Sequence, residues 1–302
     1  MERITSRTNP LLTHIRRLAA SGSYRRQCGE YLGDSPKLLQ EALLWKAELV
    51  CVVHTGAAEL PPLPADVRVV EVPADIMTSV SPMKTPQGVL FTCRIPARAL
   101  PEKLTGRRYA VLEGVQDPGN VGTVLRTLDA FDADGLFLLP GCADVYSPKT
   151  MRASMGAVFR RPVWTCTGQE LHTLLCRSGI PLYGAALRAD TMDARAVELS
   201  RAAVAIGSEG RGLTEGVLAL CDRTIRIPMS EHCESLNAEF AFPCRPGVSH
   251  STLLWLPLCC CGRHTAERRW THVSTEILGV ADGAEPAGRP GPSGAAGAFR
   301  LA

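Results

Sequence analysis

The sequence predicts an α/β protein in two parts: a small front unit and a larger unit built on a mainly parallel sheet. Three observations carry this. Short apolar runs of strand length recur along the chain. Between them lie helix-like segments, several opened by Ser, Thr or Asn before Pro. A polar, Pro-bearing stretch over residues 94–107 separates the first series from the second. Alternating strands and helices are the pattern of a parallel sheet with helices on both faces.

Taken in order, "TNPLLTHIRRLAA" opens the chain. Thr8 or Asn9 caps a helix with Pro10 in its first turn. Leu11, Leu12, Ile15 and Leu18 then share one face, with Arg16 and Arg17 off it. "SPKLLQEALLWKA" repeats the scheme with Ser35 as cap. "ELVCVVHT" and "VRVVEV" read as short buried strands, joined by a Pro-rich loop. Residues 1–93 form the front unit. The second unit, residues 108–238, starts with the strand "YAVLEGV". It continues through a loop and helix, the strand "GLFLLP", and one helix near "SPKTMRASMGAVFR". The strands "PLYGAAL" and "AAVAIG" follow, then a turn and helix at "SEGRGLTEGVLALC", and the strand "TIRIPM".

Bulk composition narrows the function classes. Of 302 residues, 45% are hydrophobic and 21% charged, enough for an ordinary core. Mean hydropathy is +0.03. The longest apolar run, "LLWLPLCCC", falls short of the ~20 residues of a membrane span. No apolar leader segment opens the chain. The 12 cysteines are scattered without a C-x-x-C pair, so zinc or redox spacing is lacking and a reducing cytoplasm is expected. The net charge is only +3. Its distribution is uneven, however: Arg3, Arg7, Arg16, Arg17, Arg25 and Arg26 crowd the first thirty residues. A basic end suits phosphate binding, and a solvated surface is the plain alternative.

Two stretches carry chemistry. In "VLEGVQDPGNVGTVLRTLDAFDADG", Asp117 and Pro118 turn the chain out of the sheet and Asn120 reads as the helix cap. Gly122 sits in the first turn, where a side chain would obstruct a ligand. Val121, Val124, Leu125 and Leu128 form the buried stripe, and Arg126 lies off it. Ligands of open α/β sheets gather at the carboxyl ends of the strands, where this loop lies. In "AVAIGSEGRGLTEGVLALCDRTIRIPMSEHCESLNA", Gly207, Gly210 and Gly212 bring a ligand close to the backbone after a buried strand. Glu209 adds one charge, and Ser235 and Asn237 flank Leu236. Either stretch alone is equally an ordinary strand-loop-helix connection. Other nucleotide and hydrolase motifs fail: there is no P-loop, dinucleotide glycine fingerprint, nucleophile elbow or H-E-x-x-H. No metal is expected.

Together, "DPGNVGTVLRTLDAFDADGLFLL", "AIGSEGRGL" and "IRIPMSEHCESLNA", in that order, resemble the SpoU-type (TrmH-like) RNA 2′-O-ribose methyltransferases of the SPOUT superfamily. "RITSRTNPLLTHIRRL", "YLGDSPKLLQEAL" and "VSPMKTPQGVLF" resemble the small α/β RNA-binding domain found ahead of that catalytic domain. The resemblance covers roughly residues 1–238. It implies methyl transfer from S-adenosylmethionine to a ribose 2′-hydroxyl of rRNA or tRNA, rRNA being favoured. It implies a trefoil-knotted sheet and a homodimer. Asn120, Arg126, Glu209, Ser235 and Asn237 take catalytic places. Gly207, Ile227 and Leu236 take cofactor-binding ones. RNA contact falls to Arg7, Arg16, Arg17, Arg25 and Arg26.

The sequence departs from the family after Asn237. An apolar helix is expected there, but the chain reads "EFAFPCRPGVSHSTLLWLPLCCCGRHTAERRW". Pro243 and Pro246 break such a helix. Residues 239–302 therefore read as an atypical tail, its last part compositionally disordered. A frameshifted coding sequence or a tail with its own partner would each produce it. Closure of the knot is left open, as is the alternative of an RNA-binding protein with an incomplete cofactor pocket.

Overall fold

The computed structural model describes residues 2–188, 190–208 and 210–226. The expected positions Glu209, Ile227, Ser235, Leu236 and Asn237, the knot and the tail lie outside the described residues.

The first series runs β1 (Glu2–Arg3), α1 (Pro10–Ala20), α2 (Gly22–Cys28), β2 (Glu30–Gly33), α3 (Pro36–Leu44), β3 (Leu49–His54), β4 (Arg68–Glu71), α4 (Ala74–Val80) and β5 (Val89–Arg94). Its five strands form a mixed sheet in the order β1-β4-β3-β5-β2, with β5 antiparallel to both neighbours. Of the two candidates Thr8 and Asn9, it is Asn9 that caps α1, through the Leu11 amide at 2.9 Å, with Pro10 in the first turn. Leu12, Ile15 and Leu18 are fully buried against the sheet. Burial of such side chains stabilises by about 1.5–3 kcal/mol each.

The second series runs β6 (Arg108–Leu112), α5 (Pro118–Ala130), β7 (Gly135–Leu138), α6 (Pro148–Ser154), α7 (Ala157–Arg160), β8 (Val163–Thr165), α8 (Gly168–Ser178), β9 (Leu182–Ala185), β10 (Met192–Asp193), β11 (Ala202–Ile206), α9 (Glu215–Leu218) and β12 (Arg223–Arg226). The seven strands lie in the order β10-β12-β9-β11-β6-β7-β8 and every pairing is parallel. The mainly parallel sheet of the sequence reading is thus present. The single helix expected near residues 147–160 is two: the chain turns left-handed at Met155 and Gly156, where α6 stops and α7 begins. The helices α2, α4 and α8 and the strands β1, β2, β5, β8 and β10 were not foreseen.

One apolar cluster joins the two sheets. It runs from Leu38, Leu39, Val52 and Phe91 to Leu112, Val121, Leu125 and Met151. Its rim is polar and paired. Arg25 Nε donates to Asp144 Oδ2 at 2.8 Å, Arg152 pairs with Asp34, and Arg160 pairs with Glu41. Tyr31 and Tyr146 stack, ring centroids 4.7 Å apart. The segment from Asp144 through α6 and α7 is therefore tied to the front series by three ion pairs as well as by the core.

Candidate functional site

The two motif stretches meet because β6 and β11 are neighbours. Leu112 pairs with Ile206 at their carboxyl ends. From there the connections diverge. After β6 the chain passes through α5 to β7 on one side. After β11 it passes through α9 to β12 on the other. Such a reversal opens a crevice at the strand ends, the usual ligand position of open α/β sheets. The two strand ends are braced by Glu113, which follows β6. Its amide donates to Ile206 O at 3.0 Å. Its carboxylate accepts from the Thr214 amide at 2.9 Å and from the Thr214 hydroxyl at 2.7 Å. Thr214 caps α9. One carboxylate thus fastens the end of the glycine turn to the first motif.

The start of α5 differs from expectation. Asp117, not Asn120, is the cap: its Oδ1 accepts from the Gly119 amide at 2.5 Å and from the Asn120 amide at 3.3 Å. Pro118 takes the first helical position, where its missing N–H costs nothing. Asn120 is therefore inside the first turn rather than at its cap. Lys149, on the first turn of α6, reaches across to Asp117 Oδ2 at 2.7 Å. This contact, foremost, holds the Asp117 carboxyl below its usual value.

Gly122 also has a different reason from the one expected. A Cβ there would come 2.6 Å from both Ala153 Cβ and Thr150 O on α6. It is glycine so that α5 and α6 pack closely, not to spare a ligand. The buried stripe of Val121, Val124, Leu125 and Leu128 is as foreseen. Arg126 is exposed and, among the described residues, has no carboxylate partner. It lies six residues beyond Asn120. That places it about 9 Å further along the helix and about 120° around it. Helix geometry alone does not bring these two side chains to one point.

The glycine turn closes on itself. Ser208 and Gly212 form a bridge, with the Gly212 amide on Ser208 O at 2.8 Å. A Cβ on Gly207 would lie 1.9 Å from Gly212 C, so closure of the turn requires a glycine here. On Gly210 and Gly212 an added Cβ meets nothing within 4 Å. Among the described residues, the outer edge of the turn is bare backbone, which suits a flat nucleoside lying against main chain.

The arginines expected to meet RNA divide. Arg25 is a correction: its side chain is 5% exposed and committed to Asp144, Leu18 O and Ala19 O. A cation so used holds the fold together and is not free for phosphate. Arg7 pairs with Asp75 at 2.8 Å, and Arg16 bonds Arg7 O at 3.0 Å and the Ser79 backbone and hydroxyl. Arg17 and Arg26 are exposed and have no carboxylate partner among the described residues. Sequence reading missed Glu113, Lys149 and Asp144 altogether. For Asp117 a signal was present, since Asp before Pro marks a cap followed by the first helical position.

The chain is similar to proteins already known. The model of the SpoU rRNA Methylase family matches residues 107–243. An "Uncharacterized tRNA/rRNA methyltransferase" of Synechocystis is 31% identical over 249 residues, 79% of this chain and 89% of that one. The "23S rRNA (guanosine(2553)-2'-O)-methyltransferase" of Bacillus subtilis is 28% identical over 218 residues, covering 72% of this chain and 87% of its own. Among solved structures, an AdoMet-bound rRNA methyltransferase from Sinorhizobium meliloti superposes with a TM-score of 0.70. It is 27% identical and covers 80% of this chain and 94% of that one. The chain belongs to the SpoU rRNA Methylase family.

Proposed function

We propose that this protein methylates a ribose 2′-hydroxyl of RNA, with rRNA as the substrate. The chain is an S-adenosylmethionine-dependent RNA methyltransferase, as its relatives are. The observation that carries the reading is the in-register pairing of β6 with β11, which opens the Asn120 loop and the glycine turn into one crevice.

The cofactor supplies an electrophilic methyl group on sulfur, so the protein has to align an oxygen with it, and alignment alone contributes much of such a rate. The bare edge at Gly210 and Gly212 supports contact with the nucleoside part of the cofactor, and we place the cofactor-binding backbone at Gly207 beside it. Asn120 fixes the acceptor, within a first turn held by Asp117 and Lys149. Arg126 holds the phosphate next to the target ribose and stabilises the oxyanion that develops there. A guanidinium keeps its charge, which suits this role better than proton removal. Glu209, Ser235 and Asn237 are assigned to the same site by family resemblance. Because Arg126 is exposed and distant from Asn120, the site is best completed by a second copy of the chain. The protein works as a cytoplasmic homodimer, and residues 1–93 grip the RNA.

The test is Arg126→Ala. Calorimetric titration with S-adenosylmethionine gives wild-type affinity, and transfer of labelled methyl to RNA is lost. Equal loss of cofactor affinity and transfer overturns the assignment.

A further inference from the structure

At the junction of α1 and α2, Arg17 lies over the ring of Tyr24, its guanidinium carbon 3.7 Å from the ring centroid. The ring is held from behind. Its hydroxyl is 2.9 Å from His14 Nδ1, and His14 Nε2 is 3.1 Å from Glu30 Oε2. Glu30 is buried and its second oxygen accepts from Arg94 at 2.8 Å. His14 also meets the Tyr24 ring edge-on, at 5.6 Å and 69°. The inner side of Tyr24 packs on the α1 core. Four side chains therefore fix the orientation of one planar cation.

We propose that Arg17, laid on Tyr24, is a stacking platform for an unpaired RNA base. Every other arginine before Glu30 except Arg26 is spent on a carboxylate or a carbonyl. Arg17 is exposed and has no carboxylate partner among the described residues. A guanidinium plane with one face on an aromatic ring offers its other face to a base, and unpaired bases are what proteins stack in this way. A charge meant only for phosphate needs no such support: a mobile Lys serves as well. The His14–Glu30–Arg94 chain makes sense as preorganisation, because it spares the ordering cost of a free side chain on binding. Exposed Arg26, on α2 with Tyr24, adds charge for the backbone that follows the base. This site rests on the RNA-methyltransferase reading and says where the front unit takes hold.

The experiment measures fluorescence anisotropy of a labelled 20-nucleotide oligo(rA) and of an RNA duplex of equal length, over a range of salt. Arg17→Lys keeps the charge and removes the plane. Stacking is worth about 1–2 kcal/mol per base at such sites, so single-strand affinity falls about 5–30-fold. The salt slope stays, because the count of neutralised phosphates is unchanged, and duplex binding stays too. Tyr24→Phe keeps the ring but loses the hydroxyl bond to His14, and binds oligo(rA) less tightly than wild type and more tightly than Tyr24→Leu, which behaves like Arg17→Lys. Wild-type binding by Arg17→Lys, equal loss on single strand and duplex, or no oligo(rA) binding by the wild type overturns the proposal. Each variant is titrated with S-adenosylmethionine as well. Unchanged cofactor binding separates failure of this site from failure of the enzymatic reading, and shows that the chain has folded.

Discussion

Gly122→Ala sets two forces of opposite sign against each other. Helix propensity alone favours Ala over Gly in a helix interior by about 0.5–1 kcal/mol. Packing opposes it. The new methyl would lie 2.6 Å from Ala153 Cβ and from Thr150 O, and 3.0 Å from the Ser154 amide. Carbon atoms sit comfortably at about 3.5–4.0 Å, so a shift of roughly 1 Å is needed. Two of the three obstacles are backbone, so no rotamer change relieves them. Overpacking of this kind costs about 1–3 kcal/mol. With two backbone obstacles the cost lies in the upper part of that range, so packing wins and a net loss of up to about 2.5 kcal/mol follows, a fall in Tm of up to roughly 8 °C. The consequence reaches the site, because α6 carries Lys149. A displaced α6 withdraws Lys149 from Asp117 and loosens the first turn of α5 around Asn120. Thermal melting and methyl transfer are measured on the same preparation. Lower Tm with reduced transfer is expected, and Gly122→Ser is worse on both counts. A Tm above wild type would show that propensity governs this position and that the contact between α5 and α6 is loose.

Further outcomes follow from the same contacts. Arg25→Ala leaves the partly buried Asp144 without its guanidinium and costs about 3–5 kcal/mol, read by urea unfolding; a change under ~0.5 kcal/mol would return Arg25 to the surface cations. Thr214→Val removes the cap of α9 and the hydroxyl bond to Glu113, and lowers stability by about 0.5–2 kcal/mol in the same assay. Lys149→Ala lowers the turnover number with little change in cofactor affinity, and Lys149→Arg restores part of it. Burial, more than anything Arg152 offsets, raises the Asp34 carboxyl above its usual value. A raised folded value means that the native state binds the extra proton. Stability from this group is therefore lost as pH climbs from the ordinary carboxylate range through the raised one. The stability difference between wild type and Asp34→Asn declines over that window, and a difference that grows with pH contradicts the assignment.

The sequence foretold what depends on local pattern. Thr8 or Asn9 before Pro10 announced α1, and the 3.6-residue spacing of Leu11, Leu12, Ile15 and Leu18 named its inner face, of which Leu11 is only half-buried. The apolar runs at 108–112 and 202–206 were legible as buried strands. That they lie side by side was not, because parallel pairing across some ninety residues leaves no local mark. The helix α8 did carry a signal that went unread: Thr167 and Glu170 form a reciprocal capping box ahead of Leu171, Leu174 and Leu175. Arg25 was misassigned because charge density at a chain end cannot distinguish a surface cation from one committed to an acid more than a hundred residues away. Gly122 was misread for a similar reason. A glycine near a helix start reads as room for a ligand until the facing helix is in place. Asn120 lost its place as cap to Asp117, whose carboxylate is two residues ahead of the first amide it accepts from.

The most direct test of the central claim is to follow the methyl group. Purified protein is incubated with S-adenosylmethionine labelled in the methyl group, and with unmodified transcripts of 23S rRNA or tRNA. The RNA is digested to nucleosides and separated. Label in a 2′-O-methylated nucleoside from rRNA, absent with Arg126→Ala, is the result predicted here. Label on a base, or none in any RNA from a protein that binds the cofactor, would contradict it.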